Sequence, residues 1–342
     1  MSATVGDVVL ERLRQWNIGQ VFGYPGDGIN GLLAAWGRAD NSPQFVQSRH
    51  EEMSAFQAVG YAKFSGQIGV CAATSGPGGI HLLNGLYDAK LDHVPVLALV
   101  GQTERSAMGG SYQQEIDMLS LFKDVCSEYV QMCTVPEQIP NLIDRAIRIA
   151  LSEQAPTALI FPSDVFELEH TPPQHEFKHV PSSLGLSPGA PTADPAAVQQ
   201  AADLLNAGER VAILIGQGAR DCVGELTEVA DVLGAGCAKA LLGKDVLPDD
   251  LPWVTGSVGL LGTTASYQMM NNCDTLLTVG SNFPYSQFLP ELDQARAVQI
   301  DRSGKWIGMR YRHCSTSDAT RTSRPYRHTQ RSSRRSHSAA RS

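Results

Sequence analysis

Glu51 stands where a carboxylate has chemical work within reach. The strand-like run Phe45-Val46-Gln47-Ser48 leads through Arg49-His50 to Glu51-Glu52, and a helix-patterned stretch follows to Gly66. A second strand-like run, Val70-Cys71-Ala72-Ala73, opens into the glycine-rich corner Thr74-Ser75-Gly76-Pro77-Gly78-Gly79. Ligands of open α/β sheets sit at the carboxyl ends of the strands, so an acid at one such corner and a permissive backbone at the next can face one ligand. A carboxylate there can hold a proton or accept a hydrogen bond. The plainer account is an acid in a first helical turn that complements the helix dipole. Glu52 is turned about 100° further round the helix and reads as a solvated first-turn charge.

Two more segments share this order. Val21-Phe22-Gly23-Tyr24-Pro25-Gly26 precedes the acid, and Gly110-Ser111-Tyr112-Gln113-Gln114-Glu115 follows the glycine corner. With His81-Leu82-Leu83-Asn84-Gly85-Leu86-Tyr87-Asp88 and His93-Val94-Pro95-Val96, the stretch resembles the pyrimidine-binding domain of thiamine diphosphate-dependent enzymes. It is most similar to the pyruvate oxidase side of the pyruvate oxidase and acetolactate synthase branch. The resemblance implies that Glu51 bonds a ring nitrogen of the aminopyrimidine and drives deprotonation of the thiazolium carbon. A carboxyl pressed against a flat heterocycle loses hydration of its charged form, which suits that relay. It implies that Tyr24, Pro25 and Gly26 bring backbone close to the pyrimidine, that Thr74, Gly76 and Gly78 shape the corner beneath it, and that Gln114 reaches the reacting carbonyl. Gln113 stands where the family has an aromatic, and His81 where the synthase branch has an asparagine. His81 alone reads as a satisfied polar residue on a helix.

The elements that must position these residues alternate. Thr4 and Asp7 form a capping pattern ahead of a helix with Val8, Val9, Leu10, Leu13 and Trp16 as its apolar side. Strand signals follow at 20–22, 45–46, 70–72 and 94–100, the last an unbroken apolar run suited to a parallel strand covered on both faces. A helix over 139–152 and a strand over 158–161 close the unit. The expectation is an α/β protein of two doubly wound parallel-sheet domains: residues 1–170, a proline- and serine-rich linker over 171–193, and 194–311. The second domain starts with Asp194 as cap and Pro195 at the first helical position, then strands at 211–215, 275–279 and 297–301. Gly216-Gln217-Gly218 is only a fragment of a dinucleotide fingerprint. The resemblance implies FAD there, with Gly216, Gly218, Arg220, Gly259, Gly262, Gly280, Ser281, Asn282 and Asp301 at the matching positions. The family's second acid after Ile-Asp is replaced by Arg302-Ser303-Gly304.

At 342 residues, 42% hydrophobic and net charge −8, the composition is that of a globular protein with no membrane-length apolar run and no signal-peptide pattern. The seven cysteines are scattered without a Cys-x-x-Cys pair, which points to reduced thiols and a cytoplasmic protein, and to no metal site. After Tyr311 the sequence turns patternless, with eight arginines and one acid in 311–342. Such a stretch cannot bury a core. An out-of-frame reading of a GC-rich gene gives that composition, and the expectation is a frameshifted tail standing in place of a third family domain. That domain would carry the ligands for magnesium and the diphosphate, and its loss predicts little thiamine-dependent turnover. For the parent enzyme the expectation is oxidative decarboxylation of pyruvate or another 2-keto acid with thiamine diphosphate, Mg2+ and FAD, in a homodimer or homotetramer. The alternatives are keto-acid condensation of the acetolactate synthase type and a non-enzymatic protein whose basic tail binds nucleic acid.

Overall fold

In the computed structural model, residues 2–170, 180–186 and 192–308 are described, and the chain divides into two units, 1–188 and 189–342. The basic tail and part of the expected linker lie outside the described residues.

The first unit begins with α1 (Val5–Gln15), whose Thr4 and Asp7 close the expected capping box. Then come β1 (Gln20–Gly23), α2 (Asn30–Arg38), β2 (Gln44–Gln47), α3 (Glu51–Ser65), β3 (Gly69–Ala73), α4 (Pro77–Leu91), β4 (Val96–Gln102), α5 (Met118–Phe122), β5 (Val130–Met132), α6 (Ile139–Glu153) and β6 (Pro156–Pro162). Among the described residues the strands form one six-stranded sheet in the order β2-β1-β3-β4-β6-β5, every pair parallel. Alternation along β4 shows why that run is apolar throughout: Leu97 and Leu99 enter the core under α1, α2 and α6, while Ala98 and Val100 enter the core under α3, α4 and α5. Both faces are dry, as expected of a parallel sheet wrapped by crossover helices. Val94 and Pro95 lie before the strand, which instead runs on to Gln102. The short β5 gave no periodic signal.

Asp144 is wholly buried on α6 between the helices of the first core. The Arg12 guanidinium donates to both its oxygens, at 2.8 and 2.5 Å, and the Trp16 indole N–H donates at 2.8 Å. Within 180–186, Ser182 and Gly185 accept bonds from Arg148 on α6.

The second unit contains α7 (Pro195–Asn206), β7 (Val211–Ile215), α8 (Val223–Leu233), β8 (Gly236–Lys239), β9 (Val254–Ser257), α9 (Thr264–Asn272), β10 (Thr275–Val279) and β11 (Arg296–Ile300). Its described strands form a parallel five-stranded sheet in the order β11-β10-β7-β8-β9. Asp194 occupies the N-cap position of α7 with Pro195 next, but its side chain makes no cap bond. The short β8 and β9 were not marked by apolar runs long enough to read. Asp301 falls just past β11 instead of inside it.

Candidate active site

Ser48 fixes the corner that presents Glu51. Its backbone N–H donates to the Gly23 carbonyl at 2.9 Å, tying the end of β2 to the end of β1, and its hydroxyl donates to the His50 carbonyl at 2.8 Å. His50 then serves as the N-cap of α3: extended in backbone, it accepts the Glu52 N–H through Nδ1 at 3.2 Å. Glu51 follows as the first helical residue and is 7% exposed, an unusual place for a carboxylate that has only a helix dipole to satisfy. Helix α4 supplies its partner, with His81 Nδ1 at 2.9 Å from Glu51 Oε2. The His50 and His81 rings lie 4.3 Å apart between centroids, tilted by 31°.

Glycines let the backbone close in beside this acid. A Cβ on Gly78 would stand 2.7 Å from the Thr74 methyl group and 3.5 Å from Glu51 Oε1, so the second carboxylate oxygen faces the glycine corner. A Cβ on Gly26 would stand 2.5 Å from Thr74 Cβ. Thr74 is held by its neighbours: its hydroxyl donates to Asp27 Oδ1 at 3.1 Å and accepts the Gly28 N–H at 2.9 Å. Gly76 adopts φ +58°, a conformation glycine enters without penalty, and a Cβ there would meet Gln114 Cβ at 2.8 Å. Gln114 therefore lies directly over the corner, where its Oε1 accepts the Ser75 hydroxyl at 3.3 Å. The loop carrying Gln114 also walls an open cavity of about 520 Å³ that includes Gln102, Tyr112, Glu115 and Met118.

The structure thus brings together Gly26, Glu51, Thr74, Gly76, Gly78 and Gln114, with Tyr24 and Pro25 entering the same loop from the end of β1. Tyr24 is partly exposed and its N–H donates to the Ala72 carbonyl at 3.3 Å. Two expectations change. Glu52 is half-buried and accepts a bond from the Asn84 side chain, so it is not a freely solvated charge. His81 is satisfied, as expected of a helical polar residue, but its partner is Glu51 itself. No local sequence signal pairs those two, because the contact joins two helices.

An arrangement of one buried carboxylate, one imidazole and one amide around a glycine-floored corner can hold a flat heterocycle against the acid. It can also move a proton at Glu51. His50, Glu51 and His81 place their ligand atoms within 4.8 Å of one another, so the same cluster offers donors to a cation. No residue was assigned to a metal from sequence.

In the second unit the expected flavin positions divide. Gly216, Gly218 and Gly280 interlock: a Cβ on Gly216 would meet the Gly280 carbonyl oxygen at 2.3 Å, and one on Gly280 (φ +58°) would meet Gly218 Cα at 2.5 Å. Close passage of two loops explains these glycines without a ligand. Arg220 is engaged, its guanidinium 3.1 Å from Asp245. Gly259 and Gly262 line a separate cavity of about 200 Å³ with Thr263, Tyr267 and Phe288. Ser281 is buried and Asn282 exposed after β10. Asp301 is buried at the end of β11 and accepts the Ser303 N–H at 2.9 Å.

Two family descriptions match this chain: "Thiamine pyrophosphate enzyme, N-terminal TPP binding domain" over residues 3–121, and "Thiamine pyrophosphate enzyme, central domain" over residues 198–319. The second match runs past the change of character at Tyr311. A Bacillus subtilis protein, provisionally named thiamine pyrophosphate-containing protein YdaP, is 36% identical over 312 residues, 90% of this chain and 52% of its own length. Pyruvate oxidase of Lactiplantibacillus plantarum is 32% identical over 308 residues, 90% of this chain and 50% of that enzyme. The large subunit of acetolactate synthase isozyme 2 of Escherichia coli is 31% identical over 278 residues, 80% of this chain and 49% of that subunit. The chain spans about half the length of these curated relatives.

Proposed function

The chain belongs to the thiamine pyrophosphate enzymes, and from that premise we propose that its first unit holds the aminopyrimidine of thiamine diphosphate in an enzyme that oxidatively decarboxylates a 2-keto acid, pyruvate foremost. The observation that carries the reading is the buried Glu51 carboxylate, with Oε1 turned toward the glycine corner. The donor set fits the group: Gly26 and Gly78 let the backbone pack closely against Thr74, and Glu51 Oε1 stands beside that corner, 3.5 Å from a Gly78 Cβ. When bound, the cofactor supplies the nucleophilic carbon that stabilises the decarboxylated fragment. Glu51, when protonated, donates to the ring nitrogen and can pass its proton there. Gln114, fixed above Gly76, orients the substrate carbonyl, and Thr74 with Gly26 sets how deeply the ring enters. Magnesium would join the diphosphate, and we assign no residue of this chain to it.

FAD forms part of the proposal, with Gly259, Gly262 and Asp301 as its contacts in the second unit. Of the other expected flavin positions, Gly216, Gly218 and Gly280 pack against one another and Arg220 pairs with Asp245. A homo-oligomeric cytoplasmic enzyme is the setting this reading implies. No helix among the described residues is long and apolar enough to cross a membrane.

Calorimetry of the purified chain with thiamine diphosphate and Mg2+ tests the reading. We expect saturable binding that Glu51→Gln weakens at least about tenfold, with its melting temperature retained. In any preparation that turns over, the same change should lower the rate by about a hundredfold or more, and Glu52→Gln should stay close to wild type. Equal effects from the two changes would remove Glu51 from its role. Pyruvate-dependent dye reduction supports the oxidative reading, and acetolactate formation without dye reduction supports the synthase one. A purified protein with no flavin absorbance would refute the FAD assignment.

A further inference from the structure

The two oxygens of Glu51 have different surroundings. Oε2 meets His81 Nδ1 at 2.9 Å, while Oε1 faces the position where a Gly78 Cβ would be, at 3.5 Å. His81 is itself restrained. Its ring lies against that of His50 at 4.3 Å, and the His50 ring is oriented by accepting the Glu52 N–H through Nδ1. Three successive contacts thus run from a helix cap to one carboxylate oxygen. We propose that His81 is the positioning residue of Glu51: its Nδ1–H donates to Oε2, fixes the plane of the carboxyl group, and leaves Oε1 directed into the glycine corner to share a proton with a ligand's ring nitrogen. This rests on the reading of Glu51 as the pyrimidine's partner.

The physical argument is one of orientation. A glutamate side chain has three rotatable bonds, and at a helix N-terminus it can turn back to its own backbone N–H groups. A donor that holds one oxygen removes that freedom before the ligand arrives, so the ligand does not bear the ordering cost. The role requires the donor at the Nδ1 position. Asparagine places an amide nitrogen there, two bonds from Cβ, whereas glutamine places its amide nitrogen where Nε2 would be. The two amides therefore separate a positioning bond from mere filling of space.

Nitrogen-15 NMR of the full chain labelled in its histidine rings tests the bond without any cofactor. We expect His81 to carry its proton on Nδ1 and its resonances to move on Glu51→Gln. A His81 ring protonated on Nε2, as imidazoles without such an acceptor prefer, and insensitive to Glu51→Gln would overturn the proposal. Calorimetry with thiamine diphosphate and Mg2+ is the second arm. His81→Leu and His81→Gln should each raise the dissociation constant by about tenfold or more, the usual scale for loss of a supporting bond, and His81→Asn should stay within about threefold of wild type. Equal binding by all three variants would overturn it as well. A wild-type chain that shows the Nδ1 tautomer yet binds no thiamine diphosphate would refute the proposed function and leave the positioning bond standing.

Discussion

A single buried acid can be structural or chemical, and the two buried acids described in the first unit have different surroundings. Both oxygens of Asp144 are bonded by Arg12 and Trp16 inside the first core, whereas Glu51 keeps Oε1 turned to the glycine corner. Asp144→Ala should leave the Arg12 guanidinium, 16% exposed, without its partner. The expected loss is about 3 kcal/mol, or a melting temperature lower by roughly 6–12 °C for a unit of this size, with thiamine diphosphate affinity unchanged in the folded fraction. A melting curve that does not move would show that the pair contributes nothing net. Glu51 was legible because an acid after a strand and before a helix is a local pattern with a place in the fold. Its relation to His81 was not, since a helical histidine gives no hint of what faces it across a neighbouring helix.

Helices α3 and α4 run in the same direction, and their contacts repeat along the seam. Glu51 meets His81, one turn later Ala55 meets Gly85, and Lys63 closes the far end on Asp88 and Asp92 at 3.1 and 2.5 Å. Gly85 sets the spacing, because a Cβ there would come within 2.5 Å of Ala55 Cβ and 2.8 Å of the Phe56 backbone nitrogen. Gly85→Ala should push α4 away from α3 at about 1–3 kcal/mol. It should also lengthen the His81–Glu51 contact, which a crystal structure of the variant would reveal. An unchanged 2.9 Å contact would mean that the seam yields elsewhere. Most of the alternation of strands and helices was readable, since long apolar runs such as 96–102 and capped helices such as 5–15 declare themselves. The three- and four-residue strands β5, β8 and β9 were not, because pairing with neighbours distant in sequence, and not their own pattern, makes them strands.

Taken whole, the described part of the molecule keeps its thiols dry. Burial pushes Cys71, Cys133 and Cys237 up to about 12 and Cys273 to about 11. Cys126 is raised well above its ordinary value, by burial first and then by the neighbouring Cys71. Lys63 is pulled down by burial, but its bonds to Asp92 and Asp88 outweigh this and raise it. The sign is the same for all of them. A folded value above the unfolded one gives stability that is complete below the unfolded value and is lost as pH rises toward the folded one. Stability should therefore be level near neutrality and fall from about pH 8.5 upward. Cys71 and Cys126 would each contribute a slope of about 1.4 kcal/mol per pH unit. Denaturant midpoints measured from pH 7 to 10.5 check the slope, and Cys71→Ala should flatten it even if that variant starts less stable. Rapid reaction of Cys71 or Cys126 with a thiol reagent at pH 8 in the folded chain would contradict the account.

The bond between Arg12 and Asp144 spans 132 positions, and that distance has a meaning for a chain made from one end. At roughly 10 residues per second, the first helix leaves the ribosome some ten seconds before the helix that neutralises its arginine and covers its apolar side. Strand β6, which must slide between β4 and β5, is later still. Every residue of the proposed pyrimidine site has emerged by position 114, well ahead of the strand that completes the sheet beneath it. During synthesis the growing polypeptide thus carries its proposed ligand corner on an unfinished, greasy half-sheet, and its need for a chaperone should be greatest in that interval.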